Sequence, residues 1–195
     1  MAAVESHMLD LGTAAPDFDL PIANPEVDDH DGDRRALSDY DDAPVLLVMF
    51  ICNHCPYVHH VEPALLETAR VYGERDVAFV AISSNDAESY PQDGFEKMAE
   101  RASEQGYPFA YLHDETQEVA QAYQAACTPD FYVFDADRDL VYRGRYDETR
   151  PDNGMPHGDD LHAALDAALK GDEPIDEQHP SMGCSIKWKP GNEPA

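Results

Sequence analysis

The chain has 195 residues, 43% of them hydrophobic and 9% aromatic, enough for one well-packed domain with an elaborated loop or tail. Forty acidic residues against thirteen basic ones give a formal charge of −27, which argues against nucleic-acid or anionic-membrane partners, since both need positive patches. Such acidity reads as a solvated surface adapted to concentrated salt, where screening over a few ångströms cancels self-repulsion.

That reading carries an expected result. The melting temperature falls as salt is removed, and a value that stays flat from dilute buffer to molar salt contradicts it. No apolar stretch approaches the roughly 20 residues that a membrane span needs. The opening MAAVESHMLDLG has neither a basic start nor a long apolar block, so no secretory signal is expected and the cytoplasm is the expected compartment. Thiols there are mostly held reduced, and a close cysteine pair is more often catalytic or metal-binding than structural.

Residues 1–42 are irregular, with FDL and RRAL expected to form a short peripheral hairpin joined by an acidic loop. PVLLVMFI (44–51) is a continuous apolar run, the mark of a strand covered on both faces. From Pro56 to Gly73, Val58, Val61, Leu65, Ala69 and Tyr72 recur at helical spacing, with Gly73 as the stop. VAFVAIS (77–83) reads as a second buried strand, 89–106 as a helix closing at Gly106, 109–114 as a short strand and 115–125 as a short helix. Residues 130–146 read as a β-hairpin around an acidic turn, and 157–171 as a closing helix with Gly171 past its end. The tail, 172–195, is Pro- and Gly-rich but carries MGCSIKWK with the only Trp, and is expected to pack back on the domain formed by 1–171. Strands alternating with helices call for a central, largely parallel sheet covered on both faces, with the late hairpin adding antiparallel strands.

The chemistry concentrates in CNHCP, residues 52–56, at the junction of the first buried strand and the helix that follows. A helix N-terminus presents free N–H groups and partial positive charge, which favour thiolate over thiol. Cys52 is therefore the expected nucleophile. Cys55, one turn later, is within reach for a disulfide and can resolve a mixed disulfide by intramolecular attack. Pro56 suits the first helical turn, and His54 can set an imidazolium beside the Cys52 thiolate. A zinc site would want four N/S ligands. The second cysteine pair is missing, because Cys127 and Cys184 stand alone, but His59, His60, His113 and His157 leave a mixed Cys/His metal-binding module as an alternative of another class.

Strand, Cys-x-x-Cys-Pro, helix, and then TP immediately before the strand DFYVFD together resemble the thioredoxin fold. The resemblance implies a cis-proline loop at Thr128–Pro129 facing the cysteine pair, with the residue before the proline offering its backbone to a disulfide substrate. GTAAPDFDLP…ALSDY is similar to the start of the redoxin (alkyl hydroperoxide reductase/thiol-specific antioxidant) family, and 89–114 to its insertion. The match spans about residues 10 to 170, and GCSIKWKPGN resembles the tail of a peroxiredoxin-like subgroup. The fold so implied is α/β: a thioredoxin-like three-layer arrangement with a central mixed sheet flanked by helices, plus an N-terminal extension and a central insertion.

The departures sort the branches. Where peroxiredoxins have Thr or Ser three residues before the peroxidatic cysteine, this chain has Met49, and Arg143 and Arg145 read as surface hairpin charge rather than as the assisting Arg. Where thioredoxins have Trp before the first cysteine and Asp six residues before it, this chain has Ile51 and Leu46. Glu62 is the nearest acidic residue on the cysteine helix and a candidate proton acceptor. Cys127, next to Thr128–Pro129, is either a small buried hydrophobe or a second thiol exchanging with Cys184, in which case oxidised protein contains a Cys127–Cys184 bridge. The reading is a thiol–disulfide oxidoreductase and antioxidant protein using Cys52, Cys55 and His54, with Thr128 and Pro129 binding the substrate and no cofactor. The alternative is a thiol peroxidase acting on hydroperoxides. Expected partners are a disulfide-bearing protein or small thiol and a thioredoxin-type reductant, not nucleic acid or membrane.

Overall fold

The structure is a computed structural model that describes residues 3–193, so residues 1–2 and the last two of the expected tail lie outside it. Among the described residues the strands are β1 (Ala3–Glu5), β2 (Asp19–Pro21), β3 (Arg34–Ala36), β4 (Val45–Phe50), β5 (Val77–Ser83), β6 (Ala110–His113), β7 (Cys127–Thr128), β8 (Asp130–Phe134), β9 (Leu140–Gly144) and β10 (Met182–Ser185). The helices are α1 (Pro56–Gly73), α2 (Phe95–Gln105), α3 (Glu118–Ala122) and α4 (Asp159–Lys170).

The apolar run of β4 explains the layering. All six of its side chains are fully buried, and successive residues of a strand point to opposite faces. Val45, Leu47 and Met49 join the core formed with Val58, Val61 and Leu65 of α1 and Leu161 and Leu165 of α4. Leu46, Val48 and Phe50 join a second core with Val119 and Ala120 of α3, Leu20 of β2 and the preceding Phe18. β4 is the centre of a five-stranded sheet, β6-β5-β4-β8-β9. The β4–β5 and β5–β6 pairs are parallel, β4–β8 and β8–β9 antiparallel, so the sheet is evenly mixed rather than largely parallel.

β2 and β3 pair as the expected hairpin. Its Arg35 is fully buried against the Asp28 carboxylate, 2.5 Å away. Two expected helices are shorter. α2 starts at Phe95 because Pro91–Asp93 form a separate 3-10 turn, and the Asp93 carboxylate takes donors from Asn53 and Asn85 instead of capping the helix. α3 starts after Gln117, which sits at φ 66° and sends its side chain to the Ser84 and Lys187 carbonyls.

A second sheet places β10 between β1 and β7, antiparallel to both. Residues 185–189 are held by side chains as well as backbone. Asn85 Oδ1 accepts from the Lys187 N–H at 2.8 Å, and Gln117 Oε1 from the Lys189 N–H at 2.8 Å.

β8 opens on Asp130, which is 1% exposed and accepts from the Tyr132 hydroxyl at 3.0 Å. Burial raises its carboxyl to about 7. A folded value above the unfolded one, about 3.9, gives stability that is complete below the unfolded value and lost as pH rises through the folded one. The protein is therefore expected to lose about 1–3 kcal/mol between roughly pH 5 and pH 8 from this group. Calorimetry at the two pH values checks this, with Asp130→Asn removing most of the difference.

Candidate active site

β4 ends at Phe50, Ile51 still bonds the Ile82 carbonyl at 3.0 Å, and the chain then turns through Cys52, Asn53 and His54. Cys55 is the N-cap of α1 and Pro56 its first residue. Asn53 pins this turn through every polar group it has. Its N–H donates to Asp93 Oδ1 (2.8 Å), its Nδ2 to the Gln92 carbonyl (2.8 Å), its Oδ1 accepts from the Tyr111 hydroxyl (3.0 Å), and its carbonyl meets His59 Nε2 (2.6 Å).

Thr128–Pro129 is a cis peptide bond, and Thr128 is where the two thiols converge. Cys52 Sγ lies 3.4 Å from Thr128 Oγ1. Cys55 Sγ lies 3.2 Å from the Thr128 carbonyl oxygen, to which it donates when protonated. All four cysteines are free thiols and buried, with Cys52 2% and Cys55 0% exposed.

The electrostatics differ from the sequence expectation. The N–H groups of α1 reach Cys55 rather than Cys52. The Cys55 thiol is lowered to about 4, first by the Cys52 thiol donating to it, then by donors from Cys184, Thr128 and the Val58 N–H, which together outweigh burial. Cys52 is pushed up, by sharing its proton with Cys55, by burial and by the Asp93 charge. The two shifts are opposed and share their first cause, the proton between the two sulfurs, which favours the thiolate at Cys55 over Cys52. His54 places a ring nitrogen within 4.8 Å of both Cys52 Sγ and an Asp93 carboxylate oxygen. Its Nδ1 is 2.5 Å from Asp93 Oδ2, and its ring stacks on Tyr90 at 5.5 Å with 5° between the planes.

The match to the AhpC/TSA family model covers residues 11–143. The chain belongs to the AhpC/TSA family. It is accordingly an oxidoreductase with thiol redox chemistry. The sequence is 53% identical to an uncharacterized conserved protein from Geobacillus kaustophilus, whose crystal structure superposes with TM-score 0.92 over 98% of each chain. It is 45% identical to a hypothetical protein from Sinorhizobium meliloti 1021, TM-score 0.90, over 96% of this chain and 99% of that one. Peroxidoxin BcpB from Mycobacterium tuberculosis shares the thioredoxin-like fold at 18% identity, TM-score 0.60, over 84% of this chain and 98% of its own. No curated protein matches the sequence.

Other residues marked in the sequence stand apart from this AhpC/TSA site. Glu62 is committed elsewhere: its carboxylate accepts from Arg101 (3.1 and 2.6 Å) and the Tyr107 hydroxyl (2.5 Å). The carboxylate beside Cys52 is Asp93. Arg143 bonds Gln178 at 2.6 Å, and Arg145 pairs with Asp160 at 2.5 Å. His60 contacts Thr149, His157 lies among Asp147, Glu148 and Asp159, and His113 packs on Phe95. A cation could instead be held by Cys52, His54 and Asp93, each offering an atom within 4.8 Å of the other two.

The expected Cys127–Cys184 exchange meets a register problem. Cys184 is opposite Thr128 and Cys127 opposite Ser185, so neighbouring strand positions send the two thiols to opposite faces. Cys127 Sγ is 4.0 Å from the Pro129 carbonyl, whereas Cys184 shares the core cluster of Cys52 and Cys55. Asp93, Asn53 and Tyr90 were missed in the sequence reading. The turn formers in YPQDG were the available signal that 90–94 is a loop and not a helix.

Proposed function

We propose that the chain is a thiol–disulfide oxidoreductase that cycles Cys52 and Cys55 between dithiol and disulfide. The observation that carries this reading is the meeting of both thiols at Thr128, one on its hydroxyl and one on its carbonyl. Cys52, the less enclosed of the two, meets the substrate disulfide. Its proton passes to the Cys55 thiolate, its sulfur attacks one substrate sulfur, and the other leaves as a thiolate. Cys55 then gives its proton to that leaving group and attacks Cys52. The mixed disulfide breaks, the second substrate thiolate departs, and Cys52–Cys55 holds the disulfide. Two electrons have moved from the pair to the substrate. Thr128 and Pro129 line the approach. Asp93, through His54 and Asn53, positions the Cys52 turn.

The partner in this reading is a disulfide-bearing protein or small thiol, with a thioredoxin-type thiol donor restoring the dithiol, as an antioxidant system in the cytoplasm. No helix among the described residues is long and apolar enough to cross a membrane. A second reading, reduction of a hydroperoxide, is favoured by the Thr128 hydroxyl 3.4 Å from Cys52 Sγ. Cys52 sulfur would take one peroxide oxygen, releasing the alcohol, and Cys55 would displace water from the sulfenic acid. Peroxide consumption in the presence of a dithiol reductant separates the two readings.

The test is a titration of the pair. The ultraviolet thiolate absorbance of reduced protein is expected to persist through neutral pH and to disappear only as pH falls through about 4. An ordinary thiol, near 8.5, loses its thiolate already at about pH 7. Oxidation in thiol redox buffers should remove that absorbance in a single two-electron step, with Cys52–Cys55 recovered by peptide mapping. Reduced thiols at both positions across all poises would refute the reading.

A further inference from the structure

Thr128 is approached from two sides. α1 brings Cys55 to its carbonyl, and β10 lies along its strand with Cys184 directly opposite it. The approach of β10 is unusually close. A Cβ on Gly183 would sit 1.9 Å from the Thr128 carbonyl oxygen, so only glycine lets the strand settle there. Ile186 continues the ladder by donating to the Ala126 carbonyl at 3.0 Å. Beyond it, Asn85 links the tail to the redox turn, accepting from the Lys187 N–H and donating to Asp93 at 2.8 Å each. Lys187 Nζ lies 5.9 Å over the Tyr90 ring that stacks on His54. The tail strand is thus a wall of the site, and Cys184, 5% exposed, belongs to the same buried cluster as Cys52 and Cys55.

We propose that Cys184 is a third redox thiol, exchanging with the Cys52–Cys55 disulfide to form Cys55–Cys184. The proposal rests on Cys52–Cys55 being a redox pair. The Cys184 sulfur attacks Cys55, the Cys52–Cys55 bond breaks, and the electron pair stays on Cys52. The proton of Cys184 ends on Cys52, beside the Thr128 hydroxyl. One disulfide replaces another, so no external oxidant or reductant is consumed. The exchange returns Cys52 to its reduced form while the oxidising equivalents sit on the tail. In the reduced protein the Cys184 thiol is pushed up to about 12, first by burial and then by the neighbouring Cys55.

The test is disulfide mapping of three proteins oxidised with diamide, quenched in acid, unfolded and labelled with an alkylating reagent. In Cys52→Ala, label is expected to vanish from Cys55 and Cys184 together and to remain on Cys127. In Cys184→Ala, Cys52–Cys55 is expected. In wild type both bridges are expected, which keeps the result independent of how well either variant folds. Cys55 and Cys184 labelled in Cys52→Ala, with Cys184 also labelled in all wild-type molecules, overturns the proposal while leaving the redox pair intact. A Cys127–Cys184 bridge in its place likewise overturns it. Loss of Cys52–Cys55 in both Cys184→Ala and wild type instead overturns the reading beneath it.

Discussion

Cys52→Ser protein is expected to turn over a small disulfide slower than wild type by a factor on the order of 10³ or more, with its fold and melting temperature nearly unchanged. The size follows from what the substitution removes. Cys52 supplies the attacking sulfur in this reading and is the less enclosed residue of the pair, 2% exposed against 0% for Cys55. Serine keeps the shape but supplies no sulfur to form the mixed disulfide. Cys55→Ser is expected to fail differently. It takes away the thiolate lowered to about 4 and leaves Cys52 a lone buried thiol beside the Asp93 charge. Attack then needs alkaline pH, and what forms stays as a stable mixed disulfide on Cys52, read as added mass on the intact protein. Full turnover by Cys52→Ser would end the assignment, and a mixed disulfide trapped on Cys55 in that variant would reverse the two roles.

Glu62→Gln is the second large expected effect, and it falls on stability. Glu62 is 6% exposed and holds Arg101 through both oxygens, with the Tyr107 hydroxyl on Oε1. Removing one charge of a buried pair strands the other. Because the Arg101 side chain keeps 20% exposure, part of that penalty is relieved by water. The expected loss is about 2–4 kcal/mol, or roughly 5–15 °C in melting temperature for a chain of this size. Turnover per folded molecule, and its pH profile, should not move. If Glu62 took protons from the cysteine pair, the opposite pattern would appear: slower turnover, a displaced pH profile and little change in melting.

The parts of this site that were legible from residues are the parts written in local sequence. PVLLVMFI could be little else than a strand covered on both faces, and CNHCP followed it into a helix with Pro56 at its start. Thr128–Pro129 sat immediately before another buried strand. What stayed hidden depends on residues far apart in sequence and on register. Asp93 reaches the Asn53 N–H across forty residues, and nothing in PQDG announces which donor it meets. Whether Cys127 is a buried hydrophobe or a partner of Cys184 turns on the β7–β10 register, which sets Cys184 against Thr128. Glu62 looked free because Arg101 and Tyr107 come from the next helix and the segment beyond it.

The three-stranded sheet has a consequence for the order in which the molecule can be assembled. It joins residues 3–5, 182–185 and 127–128, so the strand that closes the thiol site is made of residues well after the Thr128 loop. During synthesis, α1 and the Thr128 loop can fold together well before β10 has emerged. Until then β7 is a bare strand edge next to two thiols, a template for any extended segment nearby. Completion of the chain converts that liability into a closed wall. Between two molecules whose β10 strands have emerged but not yet docked, the same open edge invites exchange of those strands.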